Sequence, residues 1–168
     1  MKAWARGGVR IPKSVLAEVE RAGREAYGRG EEACGYLEGP LADELAVDRT
    51  VVLANLANKY HAADPEGHPR TGREYFEINA LTFERAIGAA GDAGRAVKVF
   101  FHSHLDCGAY FSQEDAASMT LGGTAGPTYP LAYLVTAVDL GVVTAHRLFV
   151  WDSPSARFVE APFEVVEG

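Results

Sequence analysis

Apolar residues recur along this chain with two different periods, and the changes of period outline its elements. Between about Pro12 and Tyr27, Val15, Leu16 and Val19 form a stripe three and four residues apart, with Arg21 and Arg24 away from it, which predicts an amphipathic helix. Short runs near 33–38 and 45–54 read as strands. Helical spacing returns from about Asn79 to Ala93, and Ala96-Val97-Lys98-Val99-Phe100-Phe101 then reads as a buried strand reaching His102. Gln113 to Thr120 has the look of a short helix, and three further strands are expected near 131–138, 142–151 and 157–166. Strands dominate and cluster at the end of the chain. This order predicts an α+β domain, three-layer-like, with a sheet flanked by helices. Tyr60 to Thr71, with Pro65, Gly67 and Pro69, reads as an exposed loop whose His61 and His68 face solvent, and His146 reads as a strand residue.

At 168 residues the chain is expected to be one domain over residues 1–168. A domain of that length buries about two-thirds of its unfolded surface. Its net charge of −7 is uneven: residues 1–30 carry seven Lys/Arg against three Glu, so the remainder holds −11. An acidic remainder argues against nucleic acid as a partner, since phosphate binding needs clustered cations. There is no long apolar run, so no membrane span is expected, and Met1 to Arg6 lacks the apolar core of a signal peptide; a cytoplasmic location follows as the expectation. Cys34 and Cys107 provide no disulfide framework. Cys34 reads as a small buried strand residue, Cys107 as a packed thiol, a spare metal ligand or a redox-sensitive thiol.

The chemistry concentrates in Phe101 to Asp115. Residues two apart on a strand share a face, so His102 and His104 would point together. Asp115 would lie in the first turn of the next helix, and two imidazoles with one carboxylate suit a single divalent ion with an open fourth position. Each part has a plainer reading. A His-x-His at a strand end is often one exposed and one packed histidine. Ser112 and Asp115 also have the spacing of a helix capping box. A cap gives no reason for paired histidines just upstream, and Asp115 is able to do both jobs.

The pattern His-Ser-His, seven residues, Ser, two residues, Asp resembles the signature of the JAMM (MPN-plus) metalloproteases. That family carries an upstream Glu-x-x-Gly-x-Leu-x-Gly strand, matched here by Glu32-Ala33-Cys34-Gly35-Tyr36-Leu37-Glu38-Gly39. Asn55, Arg73 and Phe76 are laid out as in bacterial members, and the resemblance extends from about residue 10 to 151. It implies the MPN/JAMM fold, cytidine-deaminase-like, with a mixed, curved sheet. It implies one zinc (Zn2+) per chain on His102, His104 and Asp115, Glu32 as general base, and Ser112 as a donor to the oxyanion. The implied substrate is a ubiquitin-like or sulfur-carrier protein, and self-pairing into a homodimer stays open. Leu105 and Phe111 stand where the family most often has proline, and Leu121 to Pro130 is longer than the usual connection, which bears on loop shape beside the cleft. A metal-free scaffold of the same fold and a DNA-repair-associated relative are the alternatives. The intact ligand set counts against the first, the acidic composition and the lack of an appended DNA-binding module against the second.

Overall fold

The computed structural model describes every residue except Leu121, Gly122 and Thr124. The Leu121–Pro130 connection, expected to bear on loop shape beside the cleft, therefore lies partly outside the described residues. The elements run β1 (Arg10–Pro12), α1 (Lys13–Gly28), β2 (Cys34–Pro40), β3 (Arg49–Leu53), α2 (Ala57–Ala63), α3 (Ala80–Asp92), β4 (Arg95–Leu105), α4 (Gln113–Thr120), β5 (Ala132–Asp139), β6 (Val142–Asp152), β7 (Arg157–Ala161) and β8 (Glu164–Val166). Six strands form one mixed sheet in the order β3-β2-β4-β5-β6-β7, in which β4 and β5 are parallel and the other neighbours antiparallel. β1 and β8 form a separate parallel pair.

The period-two alternation of β4 sorts the core into two layers. Val99 and Phe101 join Leu37, Leu134 and Leu148 beneath α1, whose Val15, Val19, Ala22 and Ala26 supply the facing stripe. Phe100 turns to the other side, with Tyr36, Tyr133 and Phe83 of α3. Gly23 lets α1 approach closely, since a Cβ there would lie 3.2 Å from Val138. Gly30, at φ 71°, then turns the chain out of the helix towards β2.

Most expected elements are present with boundaries moved by a few residues. The expected strand at 157–166 is instead two strands: β7 closes the main sheet and β8 leaves it to pair with β1. The expected loop from Tyr60 begins inside α2, and His61 and His68 are half-buried rather than solvent-facing. His61 Nδ1 lies 2.8 Å from the His68 carbonyl, and the His68 ring rests 5.2 Å from that of Tyr60. His146 is the strand residue anticipated, bridging Thr136 and Glu20 at 2.8 and 3.0 Å.

Lys98 departs from the apolar run that contains it. It is fully buried where the β2–β4 register shifts, and its ammonium donates to the carbonyls of Pro40, Asp43 and Ala46 at 2.7–2.8 Å. All three of its protons are thereby satisfied, the condition under which a buried charge is tolerated.

Candidate metal centre and its cleft

β4 has an antiparallel neighbour on one side and a parallel one on the other, and its C-terminal end carries His102 and His104. Both follow Phe100 on the α3 face. The chain leaves β4 at Asp106, which takes φ 58°, and returns through Ser112 into α4. Ser112 accepts a hydrogen bond from the Asp115 amide at 3.0 Å, and the Asp115 carboxylate accepts one from the Ser112 amide at 2.9 Å. The capping box is therefore real, and the same Oδ2 that closes it also faces the histidines. The plainer reading of this spacing and the metal-ligand reading hold together in one side chain.

Glu32, His102, His104 and Asp115 are 3, 1, 3 and 5% exposed, and their ligand atoms lie within 4.8 Å of one another. The two Nε2 atoms are 3.2 Å apart, and Asp115 Oδ2 lies 3.0 Å from His102 and 3.3 Å from His104. Four ligands about 2.0–2.1 Å from a tetrahedral zinc stand roughly 3.3 Å from one another. The triangle already has the dimensions of such a site. His104 Nδ1 lies 3.0 Å from the Gly108 carbonyl and must donate to it, which leaves the Nε2 lone pair pointing inward. Glu32 Oε1 and His102 Nδ1 are buried without a hydrogen-bond partner among the described residues. A partnerless buried carboxylate oxygen beside three converging ligand atoms fits a group that takes a cation and a water. The four residues thus form a buried set able to hold one metal ion. Cys107 does not belong to it; that thiol is exposed on the cleft wall rather than packed.

Electrostatics separate the two carboxylates. Burial, reinforced by the Asp115 charge, pushes Glu32 up to about 9. Burial opposes ionisation of Asp115 too, but His102 above all, then His104 and the Ser112 amide, hold it well below the usual carboxylate range. The Cys34 thiol, buried next in line on β2, is pushed up to about 12 by burial and by the charge of Glu32, in keeping with its expected structural part.

Two side chains not anticipated in this part hold Glu32 in place. Ser103, between the histidines, faces α1 instead; its hydroxyl accepts the Ala33 amide at 2.8 Å and its own amide donates to the Ala33 carbonyl at 3.0 Å. Asn55 spends both amide protons on the carbonyls of Glu32 and Tyr75, each at 3.0 Å, and its oxygen accepts from Ala57 and Glu77. The first clasp follows from strand alternation. The second joins segments 20 residues apart and leaves no local pattern.

Glu32, His104 and Ser112 open onto a cleft of about 510 Å³ whose other walls are Tyr110, Cys107 and the 70–74 segment. Phe76 packs on the His102 ring at 4.8 Å and Tyr110 meets the His104 ring edge-on at 4.8 Å. Arg73 reaches Asp106 at 3.3 Å, and Asp106 also accepts from Tyr27 and the Leu140 amide. β4 lies between β2 and β5 in the sheet, but its pairing with β2 ends at His102, and β5 alone continues beside His104 and Leu105. Among the described residues, no helix is long and apolar enough to cross a membrane.

Residues 12–151 match the sequence family described as prokaryotic homologs of the JAB domain. No curated protein matches the chain in sequence. Solved structures of similar shape include a protein from Desulfitobacterium hafniense, at 23% identity and TM-score 0.67 over 95% of this chain and 94% of that one. A protein from Salinibacter ruber is similar at 20% identity and TM-score 0.58, over 94% of this chain and 91% of that one. A JAB1/MPN domain protein from Archaeoglobus fulgidus is similar at 14% identity and TM-score 0.55, over 95% of this chain and 99% of that one. The likenesses in shape establish the fold, and the sequence match over residues 12–151 establishes the family: the chain belongs to the prokaryotic homologs of the JAB domain.

Proposed function

We propose that this protein is a zinc-dependent peptidase that hydrolyses the amide bond after the C-terminal Gly-Gly of a ubiquitin-like or sulfur-carrier protein. The observation that carries this reading is the convergence of Glu32, His102, His104 and Asp115 within 4.8 Å at the floor of an open cleft. Two imidazoles and one carboxylate favour zinc over harder cations and leave a fourth position open. When bound, zinc acidifies water and polarises a carbonyl.

The chain's own residues supply the rest. Glu32, the carboxylate without a hydrogen bond at one oxygen, takes a proton from the attacking water and gives it to the departing amine. The Ser112 oxygen already accepts the Asp115 amide, so its hydroxyl proton is available to the oxyanion that develops on the scissile carbonyl. His104 is kept in one tautomer by Gly108, and Asp115 in one orientation by the cap. Glycines at the cut let the substrate backbone approach without Cβ clashes.

The test is metal analysis of the purified protein together with mass spectrometry of a Gly-Gly-ended carrier bearing extra C-terminal residues. About one zinc per chain, lost in His104→Ala, and cleavage after the glycines that stops on chelation are expected. A protein that stays metal-free after zinc addition and dialysis would be a scaffold rather than an enzyme.

A further inference from the structure

At the end of the sheet that carries the histidines, one turn has a residue type that works against its shape. β5 and β6 are joined by two residues, Leu140 at φ 50° and Gly141 at φ 81°. A two-residue hairpin with both central residues at positive φ normally carries Asn, Asp or Gly at the first of them. Here a leucine takes that place, 87% exposed, the largest value among the exposed large apolar residues described, and Val142 beside it is 60% exposed. So exposed a side chain gains almost no packing to offset the left-handed backbone.

The turn is fixed to the cleft. The Leu140 amide donates to Asp106 Oδ1 at 2.8 Å, and the Asp106 amide donates to the Val138 carbonyl at 2.9 Å. The same carboxylate accepts from Tyr27 of α1 at 3.0 Å and meets Arg73, a residue of the cleft wall, at 3.3 Å. One clasp thus joins the hairpin tip, the end of α1 and the cleft. β5 runs parallel to β4 with Ala137 opposite His104, so Leu140 stands three residues beyond the histidine row, about 10 Å along the strand direction. Neither Leu140 nor Val142 lines the cleft. They are placed to meet only that part of a substrate which stays outside it. Single apolar residues on a surface need no explanation; an unfavourable backbone, a rigid clasp and a position at the cleft mouth set this one apart.

We infer that Leu140, with Val142, is a docking knob for the folded body of the protein substrate, seated in an apolar hollow of that body while its extended end occupies the cleft. This deepens the peptidase reading and rests on it: a folded protein is preferred over a free peptide of the same end sequence, whatever leaves on the amine side. A second copy of the chain fits the knob less well. A dimer made through one two-residue turn would bury far less than the roughly 1,200 Å² that a stable interface needs. A substrate already engaged in the cleft needs only one added contact, because the second binding event is then intramolecular. Leu140 is a specificity-determining residue here, remote from the reacting atoms.

The test uses the zinc-loaded full chain and two substrates with the same cleavable end: a Gly-Gly-ended ubiquitin-like protein bearing extra C-terminal residues, and a short synthetic peptide copied from that end. Leu140→Asn restores the usual turn residue, so its Tm should equal or exceed that of wild type. For the folded substrate KM should rise about 10-fold with kcat held, the worth of one buried leucine after the costs of binding. For the peptide both constants should hold, and Leu140→Met should keep most of the wild-type KM on the folded substrate. An unchanged KM for the folded substrate in Leu140→Asn, or an equal rise for the peptide, would overturn the inference and leave the peptidase standing. If neither substrate is cleaved, the peptidase reading fails and calorimetric titration of the folded substrate decides the docking alone: binding about 10-fold weaker in Leu140→Asn supports it, and equal binding or none overturns it. A wild-type dimer in sedimentation that dissociates in Leu140→Asn would assign the knob to a second copy and overturn it as well.

Discussion

The two faces of β4 use neighbouring residues for opposite ends. On the α1 face, Phe101 is packed among aliphatic side chains and Ser103 has both its hydroxyl and its amide committed to Ala33. On the α3 face, Phe100 begins the same way, but one pleat further on His102 and His104 face Asp115 and Glu32, with two buried polar atoms left without partners. His102 and Ser103 are each 1% exposed, so burial does not tell them apart. Satisfaction does: polar groups closed off by hydrogen bonds hold a fold, and those converging with capacity to spare are available for chemistry.

The largest expected break in this contrast is Glu32→Gln. It should keep zinc and fold but lower kcat by roughly 10²–10⁴, since an amide cannot carry the proton. Near wild-type turnover in that variant would assign the base to another residue. On the opposite face, Phe101→Ala should cost about 3–5 kcal/mol of stability through the cavity it opens. Denaturant titration measures it, and per-folded-molecule zinc content should not change.

A pH effect should come from one face only. In chelator-treated protein, Glu32 stands at about 9 against an ordinary 4.5, so the fold favours its protonated form. That contribution is complete below pH 4.5 and is lost as pH rises through the window towards 9. Metal-free wild type should therefore weaken between pH 5 and pH 8 relative to Glu32→Gln, by a few kcal/mol at most; parallel denaturation curves for the two would refute it. Asp115, held below its ordinary 3.8, acts at lower pH and leaves this window alone.

The smallest effect sharpens the comparison most. Ser103→Ala strands the buried Ala33 amide at a cost of about 1–3 kcal/mol. For a domain near this size that is a Tm lower by roughly 2–10 °C. Because Ala33 adjoins Glu32, kcat should fall while KM and zinc content hold. Unchanged kcat at the lowered Tm would make Ser103 a structural residue only.

What the sequence made legible here follows from local periodicity. Alternation set His102 and His104 on one side of β4, Ser112 and Asp115 had their cap spacing, and the stripe of α1 had its three-and-four rhythm. The features that escaped depend on residues far apart. Lys98 reads as a flaw in an apolar run until the carbonyls of the 40–46 turn close around it. The 70–74 segment follows a Pro/Gly-rich stretch with no periodicity, and the Gly72 carbonyl on the Glu32 amide, with the Asn55 and Asn58 clasps, brings it over Glu32.

The β1–β8 pairing joins Arg10–Pro12 to Glu164–Val166, across nearly the whole chain. Its meaning lies in time rather than in shape. Glu32 through Asp115 bring their segments together over much shorter spans, and ln of the folding rate falls as contacts become more distant in sequence. During synthesis the cleft-forming strands can meet while β8 has still to emerge. The strand leading into α1 gains this partner only after β8 has been made, so the layer behind β4 is latched later than the cleft-forming strands.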